Sequence, residues 1–223
     1  MVYILSVETA TKNCSVSISG DGEVLLTKEM AEENFSHAEK LHLYIDEVLA
    51  QLDLKFKDLS ALAVSKGPGS YTGLRIGVSA VKGLCYALGL PLIAINTLSV
   101  LAEQLSIDKG LIIPMIDARR MEVFTAVFTV DHNMIEDTKA LVLTQDAFDY
   151  LQPQALHFIG DGATKCKELF TADNCVFYDE IQYPSAKDMG MLAWQKYLAK
   201  DFEDVAYFEP FYLKDFLMLT KKK

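Results

Sequence analysis

Two acidic residues that follow apolar, strand-like segments are the first candidates for chemistry. Glu8 comes after the apolar residues 3–7, and Asp117 comes after the apolar residues 111–116. Carboxylates that face each other across a cleft can hold a hydrated metal ion beside a phosphate group. However, the turns after both acids lack the glycines that let a backbone wrap a phosphate, and an acid at a strand end also caps the chain or pairs with an arginine such as Arg119 or Arg75. The sequence favours these structural roles and leaves the metal-binding role open.

A glycine-rich segment, Gly67 to Gly73, lies between a predicted strand and a predicted helix. Free N–H groups at the start of a helix can hold an anion, so a phosphate loop is one interpretation. The other interpretation is that Gly67 and Gly69 make a sharp turn, while Gly73 and Gly77 allow close packing of the helix. The second interpretation is favoured because the Gly-Lys-Ser or Gly-Lys-Thr of a P-loop is absent.

The histidines, hydroxyl groups and cysteines do not form a recognisable catalytic or metal-binding pattern. His37 and His42 are separated by five positions, which turns their side chains roughly 140° apart on a helix, whereas a helical zinc pair returns to one face after three or four. Ser70 and Thr72 have no histidine beside them in the sequence, so a serine-hydrolase triad is not indicated. The four cysteines lack a C-x-x-C pair, which predicts buried thiols.

The elements that must position these residues alternate between strands and helices. A meander of three strands precedes an amphipathic helix from Ser36 to Leu52, and a second helix follows the glycine-rich segment from Thr72 to Leu88. The second half repeats the apolar strand, the acid at its end and the returning strand, and then predicts a strand, a glycine-rich turn at residues 160–162 and a helix. This repetition predicts an α/β fold of two like subdomains, residues 1–105 and 106–223, with mixed sheets flanked by helices.

The composition restricts the functional class. The chain has 223 residues, of which 51% are hydrophobic and 23% charged, so it can bury a substantial core. Its formal net charge of −10 predicts a surface that repels phosphate backbones, and tight RNA binding by the chain alone is not expected. The first residues lack the pattern of a signal peptide, and Pro91 and polar residues interrupt the apolar window 84–102. We therefore expect a cytoplasmic protein without a membrane span.

Five blocks of sequence, in the same order along the chain, resemble the TsaB (YeaZ) family of bacterial tRNA threonylcarbamoyladenosine biosynthesis proteins. The blocks are V-E-T-A-T-K-N-C-S-V-S-I, S-K-G-P-G-S-Y-T-G-L-R-I-G, P-L-I-A-I-N-T-L, I-D-A-R-R-M-E-V-F and F-E-P-F-Y-L-K. They are spread between residue 3 and about residue 214, and the G-P-G-S-Y-T-G-L-R-I-G block is the most specific. The resemblance departs at Glu8, where most members of the family carry Asp.

The resemblance implies an actin-like, ribonuclease H-like fold of two subdomains. It also implies a protein that pairs with the catalytic paralogue TsaD and with the ATPase TsaE to install a threonylcarbamoyl group on an adenosine next to the anticodon of certain tRNAs. On this basis the chain alone binds no cofactor, the complex uses ATP, and tRNA is contacted only through the complex. Remnants of a nucleotide site are then expected at Glu8, Thr9, Gly67, Gly69 and Asp117.

The partner surface is predicted on the two helices of the first half. Small residues at helical spacing let two helices approach closely, and apolar side chains beside them add contact area. The residues concerned are Leu41, Tyr44, Ile45, Val48, Gly73, Gly77, Ala80 and Ala87. Because the same surface can pair with a second copy of itself, a homodimer is expected when the partner is absent.

Three functional classes remain open from the sequence. They are a non-catalytic scaffold that activates an enzyme, an actin-like ATPase or kinase, and a metalloprotease. The scaffold is favoured because metal ligands are missing at helical spacing and the glycine-rich phosphate turns are degenerate.

Overall fold

Two five-stranded mixed sheets with the same strand order form the framework of the molecule. The structure is a computed structural model that describes residues 1–31 and 37–214. The first sheet consists of β1 (Tyr3–Glu8), β2 (Asn13–Gly20), β3 (Glu23–Ala31), β4 (Leu59–Gly67) and β5 (Leu92–Asn96). The second consists of β6 (Leu111–Asp117), β7 (Glu122–Phe128), β8 (Met134–Val142), β9 (Leu156–Ile159) and β10 (Cys175–Phe177).

The strand order is β3-β2-β1-β4-β5 in the first sheet and β8-β7-β6-β9-β10 in the second. In each sheet the first three strands form an antiparallel meander, and the fourth and fifth strands are added in parallel. The repeated topology that the order of elements predicts is therefore confirmed.

Helices cover both faces of the first sheet. The helices are α1 (His37–Gln51), α2 (Tyr71–Leu88), α3 (Thr97–Ala102) and α4 (Gly190–Ala199). On β1, Leu5 packs in the core under α1 and α2, whereas the neighbouring Ile4 packs in the core under α3 and α4. Because successive strand residues point to opposite faces, a strand covered on both sides is largely apolar, as β1 is apart from Ser6 and Glu8. Within residues 1–31 and 37–214, no helix is long and apolar enough to cross a membrane.

The two long helices begin and end close to the predicted positions. Ser70 caps the start of α2 by accepting a hydrogen bond from the Gly73 N–H at 3.3 Å, and Gly89 ends the helix in the left-handed region with a φ of 66°, a conformation that favours glycine. Helix α1 begins at His37, and the predicted cap at Ser36 lies outside the described residues.

The second sheet differs from the first after β9. The sequence predicts a helix after the turn at residues 160–162, but the structure has only a four-residue 3₁₀ turn, Ala163–Cys166. The N–H groups of Leu169 and Phe170 both donate to the Cys166 carbonyl oxygen, at 2.9 and 2.8 Å. This doubled hydrogen bonding turns the chain, so that Phe170 enters the core of the second sheet.

The last described part of the chain returns to the first sheet. We call residues 203–214 the C-terminal strap. It begins where the Glu203 N–H donates to the Leu92 carbonyl oxygen at 2.9 Å, and it passes α2, where the Lys82 Nζ donates to the Phe208 carbonyl oxygen at 2.6 Å. It ends at Lys214, which donates to the Ala118 carbonyl oxygen at 3.3 Å. The strap thus contacts both halves of the chain, and the division into domains 1–105 and 106–223 stays a prediction.

Helix α2 lies unusually close to the end of β1. A Cβ atom at Gly73 would lie 2.1 Å from the Thr9 carbonyl oxygen, and a Cβ atom at Gly77 would lie 2.3 Å from Thr9 Oγ1. The Thr9 hydroxyl uses this proximity to donate to the Gly73 carbonyl oxygen at 2.8 Å. Only glycine permits such an approach of helix and turn.

Replacing Gly73 with Ala is expected to lower the free energy of unfolding by about 1–3 kcal/mol, because the backbone of Thr9 must move away from the new methyl group. Gly83→Ala in the same helix is the matched control, since a Cβ atom there meets nothing within 4 Å. That variant is expected to gain about 0.5–1 kcal/mol of stability. Urea unfolding of both variants measures the difference, and a Gly73→Ala protein as stable as the wild type would contradict the close approach.

Candidate functional site

Glu8 ends β1 inside the first half of the molecule. Its side chain is fully buried; Oε1 accepts the Ala10 N–H at 2.5 Å, and Oε2 accepts the Ser65 hydroxyl. Burial raises the pKa of the carboxyl group to about 7, although both hydrogen bonds act in the opposite direction. A carboxyl group that is enclosed and partly protonated near neutral pH is poorly suited to hold a hydrated metal ion.

Asp117, the second candidate acid, is exposed at the end of β6. Its Oδ1 accepts the Arg119 N–H at 2.6 Å and forms an ion pair with Lys165. Its own N–H donates to Asp161 Oδ1 at 2.9 Å. Asp117 thus forms an ion pair in this structure, although the partner is Lys165 and neither Arg119 nor Arg75. Its assignment as a nucleotide-site remnant stays a prediction.

Asp161 is a polar residue of this region that the sequence interpretation missed. It lies in the turn after β9, and burial is the main cause that raises the pKa of its carboxyl group. The nearby charge of Asp117 also raises this pKa, whereas Lys12 lowers it. The available signal was an acid between two glycines, Gly160 and Gly162, just after a strand.

The glycine-rich segment is filled by the turn that follows β1. The Ser70 N–H donates to the Ala10 carbonyl oxygen at 2.7 Å, and a Cβ atom at Gly69 would lie 2.4 Å from that same oxygen. Thr97 Oγ1 accepts the Gly67 N–H at 3.1 Å. In this arrangement the N–H groups of Gly67 and Ser70 and the space beside Gly69 are used within the chain. The segment does not fit a nucleotide phosphate between itself and the turn, and its assignment as a nucleotide-site remnant stays a prediction.

The histidines of α1 lie apart, as their spacing predicts. His37 is buried with Nε2 2.7 Å from the Thr11 carbonyl oxygen, and burial lowers the pKa of its imidazole. His42 is exposed on the outer surface of the helix. Across residues 1–31 and 37–214, no three His, Cys, Asp or Glu side chains come together to hold a metal ion.

The structure changes the placement of the predicted partner residues. Five of them are buried within the chain: Leu41, Ile45, Val48, Gly73 and Gly77. The helical spacing that selected these residues marks the faces of α1 and α2 that pack on the first sheet and on the β1–β2 turn. Tyr44 and Ala80 are half-buried and Ala87 is exposed, so for these three the interface role stays a prediction.

The outer surface of α1 and α2 carries a shallow groove of about 430 Å³. It is lined by His42, Ile76, Ser79, Ala80, Gly83 and Leu84. Four of these six side chains are apolar or absent, and a Cβ atom at Gly83 would meet nothing within 4 Å. Of these six residues, the sequence interpretation placed only Ala80 in the partner surface. The outward face of each helix can be recognised only after the face that packs on the sheet has been assigned.

The chain is similar in sequence and in structure to known proteins. The model of the family TsaD, tRNA N6-adenosine threonylcarbamoyltransferase, matches residues 29–221. The tRNA threonylcarbamoyladenosine biosynthesis protein TsaB of Escherichia coli strain K12 is 30% identical over 220 residues, which cover 95% of this chain and 94% of that protein. The chain belongs to the TsaB (YeaZ) family.

Two further similarities extend this assignment. The structure of YeaZ from Pseudomonas aeruginosa superposes on this structure with a TM-score of 0.84 and is 24% identical in sequence. The superposition covers 96% of this chain and 100% of that chain. The two-subdomain actin-like fold is thereby confirmed. A tRNA N6-adenosine threonylcarbamoyltransferase from Geobacillus kaustophilus is 31% identical over 121 residues, which are 47% of this chain and 35% of that enzyme.

The stability of the TsaB-family protein is expected to fall as pH rises from 4.5 to about 7, because folded Glu8 keeps its proton to higher pH than the ordinary carboxyl of the unfolded chain. Glu8→Gln keeps a neutral side chain and should remove about 3 kcal/mol of this pH-dependent loss. Burial also raises the pKa of Asp188 to about 7, so the difference between wild type and variant isolates Glu8. Urea unfolding across this pH range measures it, and parallel pH profiles would contradict the assignment.

Proposed function

We propose that this chain is a non-catalytic scaffold that binds and activates a TsaD-like paralogue in the threonylcarbamoyladenosine modification of tRNA. A TsaE-like ATPase supplies ATP hydrolysis in the assembly, and the chain itself binds no cofactor. The observation that carries the proposal is the open, apolar groove on α1 and α2 in a chain that belongs to the TsaB family.

The groove suits a partner with the same fold. Its small residues, Ala80 and Gly83, allow the backbones of two helices to approach, and Ile76 and Leu84 supply apolar contact beside them. The transferase family model matches residues 29–221, a range that includes both α1 and α2. A paralogue with the corresponding two helices can therefore form a four-helix contact with this surface.

The same geometry supports self-association when the paralogue is absent. A two-fold axis through the groove places each helix pair against its own copy, and such an interface is self-complementary. We propose that the homodimer and the heterodimer compete for one surface, so that addition of the paralogue dissolves the homodimer.

The absence of intrinsic catalysis is supported by how the candidate polar groups are used. Glu8 is enclosed with Ser65 and Ala10, and Asp117 is paired with Lys165. Transfer chemistry is then the task of the paralogue. A net charge of −10 supports weak binding of tRNA by the chain alone. We propose that the chain contacts tRNA only within the complex, in the cytoplasm.

Filling the groove is expected to weaken association with the paralogue and with a second copy. Ala80→Trp and Gly83→Trp add volume where the helices meet, and each should raise the dissociation constant by about ten- to a hundredfold. Gly77→Leu is unsuitable for this purpose, because a Cβ atom there already lies 2.3 Å from Thr9 Oγ1. Sizing chromatography and titration calorimetry measure both associations.

Ala50→Trp provides the matched control, because Ala50 is exposed on α1 and lies outside the groove lining. Its association should equal that of the wild type. Unchanged association of Gly83→Trp, with the chain folded by circular dichroism, would place the partner surface elsewhere.

Reconstitution is expected to separate the scaffold role from catalysis. The purified chain should neither hydrolyse ATP nor transfer a threonylcarbamoyl group, whereas transfer by the paralogue and the ATPase should require its addition. Radiolabelled threonine incorporated into tRNA measures transfer. ATP hydrolysis by the chain alone that disappears in Glu8→Ala or Asp117→Ala would instead assign it to the ATPases.

A further inference from the structure

All three arginines of this acidic chain lie around one end of the C-terminal strap. The sequence contains Arg75, Arg119 and Arg120 and no other arginine. The Arg75 Nε donates to Tyr212 Oη at 3.1 Å, and Lys214 donates to the carbonyl oxygen of Ala118, the residue before Arg119. Tyr212 and Lys214 are two residues apart, so their Cα atoms lie within about 7 Å of each other. The strap therefore brings the two arginine-bearing segments to one surface.

The β6–β7 turn presents its two arginines on a strained backbone. Arg119 and Arg120 have φ angles of 68° and 53°, a left-handed backbone region that is unfavourable for residues with a side chain. The Lys165 ammonium group stabilises the turn by donating to the Arg120 carbonyl oxygen at 2.6 Å and to the Glu122 carbonyl oxygen at 3.4 Å. Lys214 holds the preceding Ala118 carbonyl oxygen from the other side. The turn is therefore fixed before any ligand arrives.

The charges around this turn leave both guanidinium groups available. Asp117 is paired with Lys165, and Glu122 is paired with Lys214. Arg119 and Arg120 are exposed, and no acceptor for either guanidinium group occurs in the part of the chain that the structure describes. In a chain with a net charge of −10, two positive charges thus lie side by side on a rigid turn, without an ion-pair partner among residues 1–31 and 37–214.

Arg75 adds a flat stacking surface beside this turn. Its Cζ atom lies 4.1 Å from the centroid of the Tyr71 ring and 6.0 Å from that of the Tyr212 ring, and the two ring centroids are 4.8 Å apart. Glu209 is near enough to interact with the Arg75 charge, so we assign Arg75 to stacking and not to phosphate binding. Unpaired RNA bases stack on aromatic rings and on guanidinium planes, whereas RNA phosphates pair with arginine.

We propose that Arg119 and Arg120 bind backbone phosphates of the substrate RNA while Tyr71, Arg75 and Tyr212 receive an unpaired base from the same loop. We call these five residues the arginine surface. This inference rests on the proposed function, because it assigns the arginine surface to the RNA within the complex with the transferase paralogue. Arg75 precedes Ile76 of the groove, so RNA held here lies beside the bound partner.

The test measures the affinity of the complex for tRNA over a range of salt concentrations. Arg119→Asn together with Arg120→Asn removes both charges, and Asn tolerates the left-handed backbone, so the turn is retained. Lys55→Asn together with Lys57→Asn is the matched control, because these two lysines are exposed at the opposite end of β4. The arginine variant should bind tRNA about tenfold more weakly and reduce the slope of log K against log salt by about 2.

A second pair of variants tests stacking apart from charge. Tyr212→Ala should weaken tRNA binding about fivefold or more, whereas Tyr212→Phe retains the ring and should bind about as well as the wild type. Sizing chromatography must show that each variant still assembles with the transferase, and thermal unfolding must show that it is folded.

The possible outcomes separate this inference from the proposed function. Unchanged tRNA affinity and salt slope in an assembled complex would overturn the arginine surface and leave the scaffold role intact. Loss of assembly in the arginine variant would overturn it as well, by assigning these residues to a protein interface. Loss of ATP binding with tRNA affinity retained would assign the two charges to a free nucleotide. A wild-type chain that never assembles with the transferase would overturn both proposals.

Discussion

The close approach of the β1–β2 turn to the glycine-rich segment determines much of the remaining structure. The Thr9 and Ala10 carbonyl oxygens occupy the positions that side chains at Gly73 and Gly69 would need. Each contact joins residues about sixty positions apart in sequence, so it fixes α2 against the first sheet. Because backbone atoms touch directly at Gly69 and Gly73, little room is left there for side chains to adjust, and the geometry is tightly constrained.

This constraint has a consequence for function. An actin-like fold offers a cleft between two subdomains in which turns and helix N-termini can hold phosphate. Here the Ser70 N–H is already used by the Ala10 carbonyl oxygen, and Glu8 lies in the interior with a raised pKa. These polar groups are therefore used within the chain, and the functional surfaces that we propose are the outer groove of α1 and α2 and the turn at Arg119.

The C-terminal strap connects these surfaces. It lies along α2, donates its Phe211 N–H to the Lys66 carbonyl oxygen at 2.7 Å, and reaches the β6–β7 turn through Lys214. A chain segment that contacts both halves limits how far they can rotate against each other. The strap thus restricts movement of the groove relative to the arginine surface, as the proposed scaffold role requires.

The sequence by itself determined the fold class, the repeat of two like sheets and the extents of α1 and α2, because apolar periodicity, caps and turn residues act over short distances. It also found Glu8, Asp117 and the glycines as residues in unusual positions. Only the tertiary structure decided what surrounds each of them. Whether a glycine admits a phosphate or a neighbouring turn depends on what lies against it, and for Gly69 and Gly73 that is a segment some sixty residues away. Likewise, Arg75 and Arg119 share a surface only because the strap folds back between them, which no local pattern encodes.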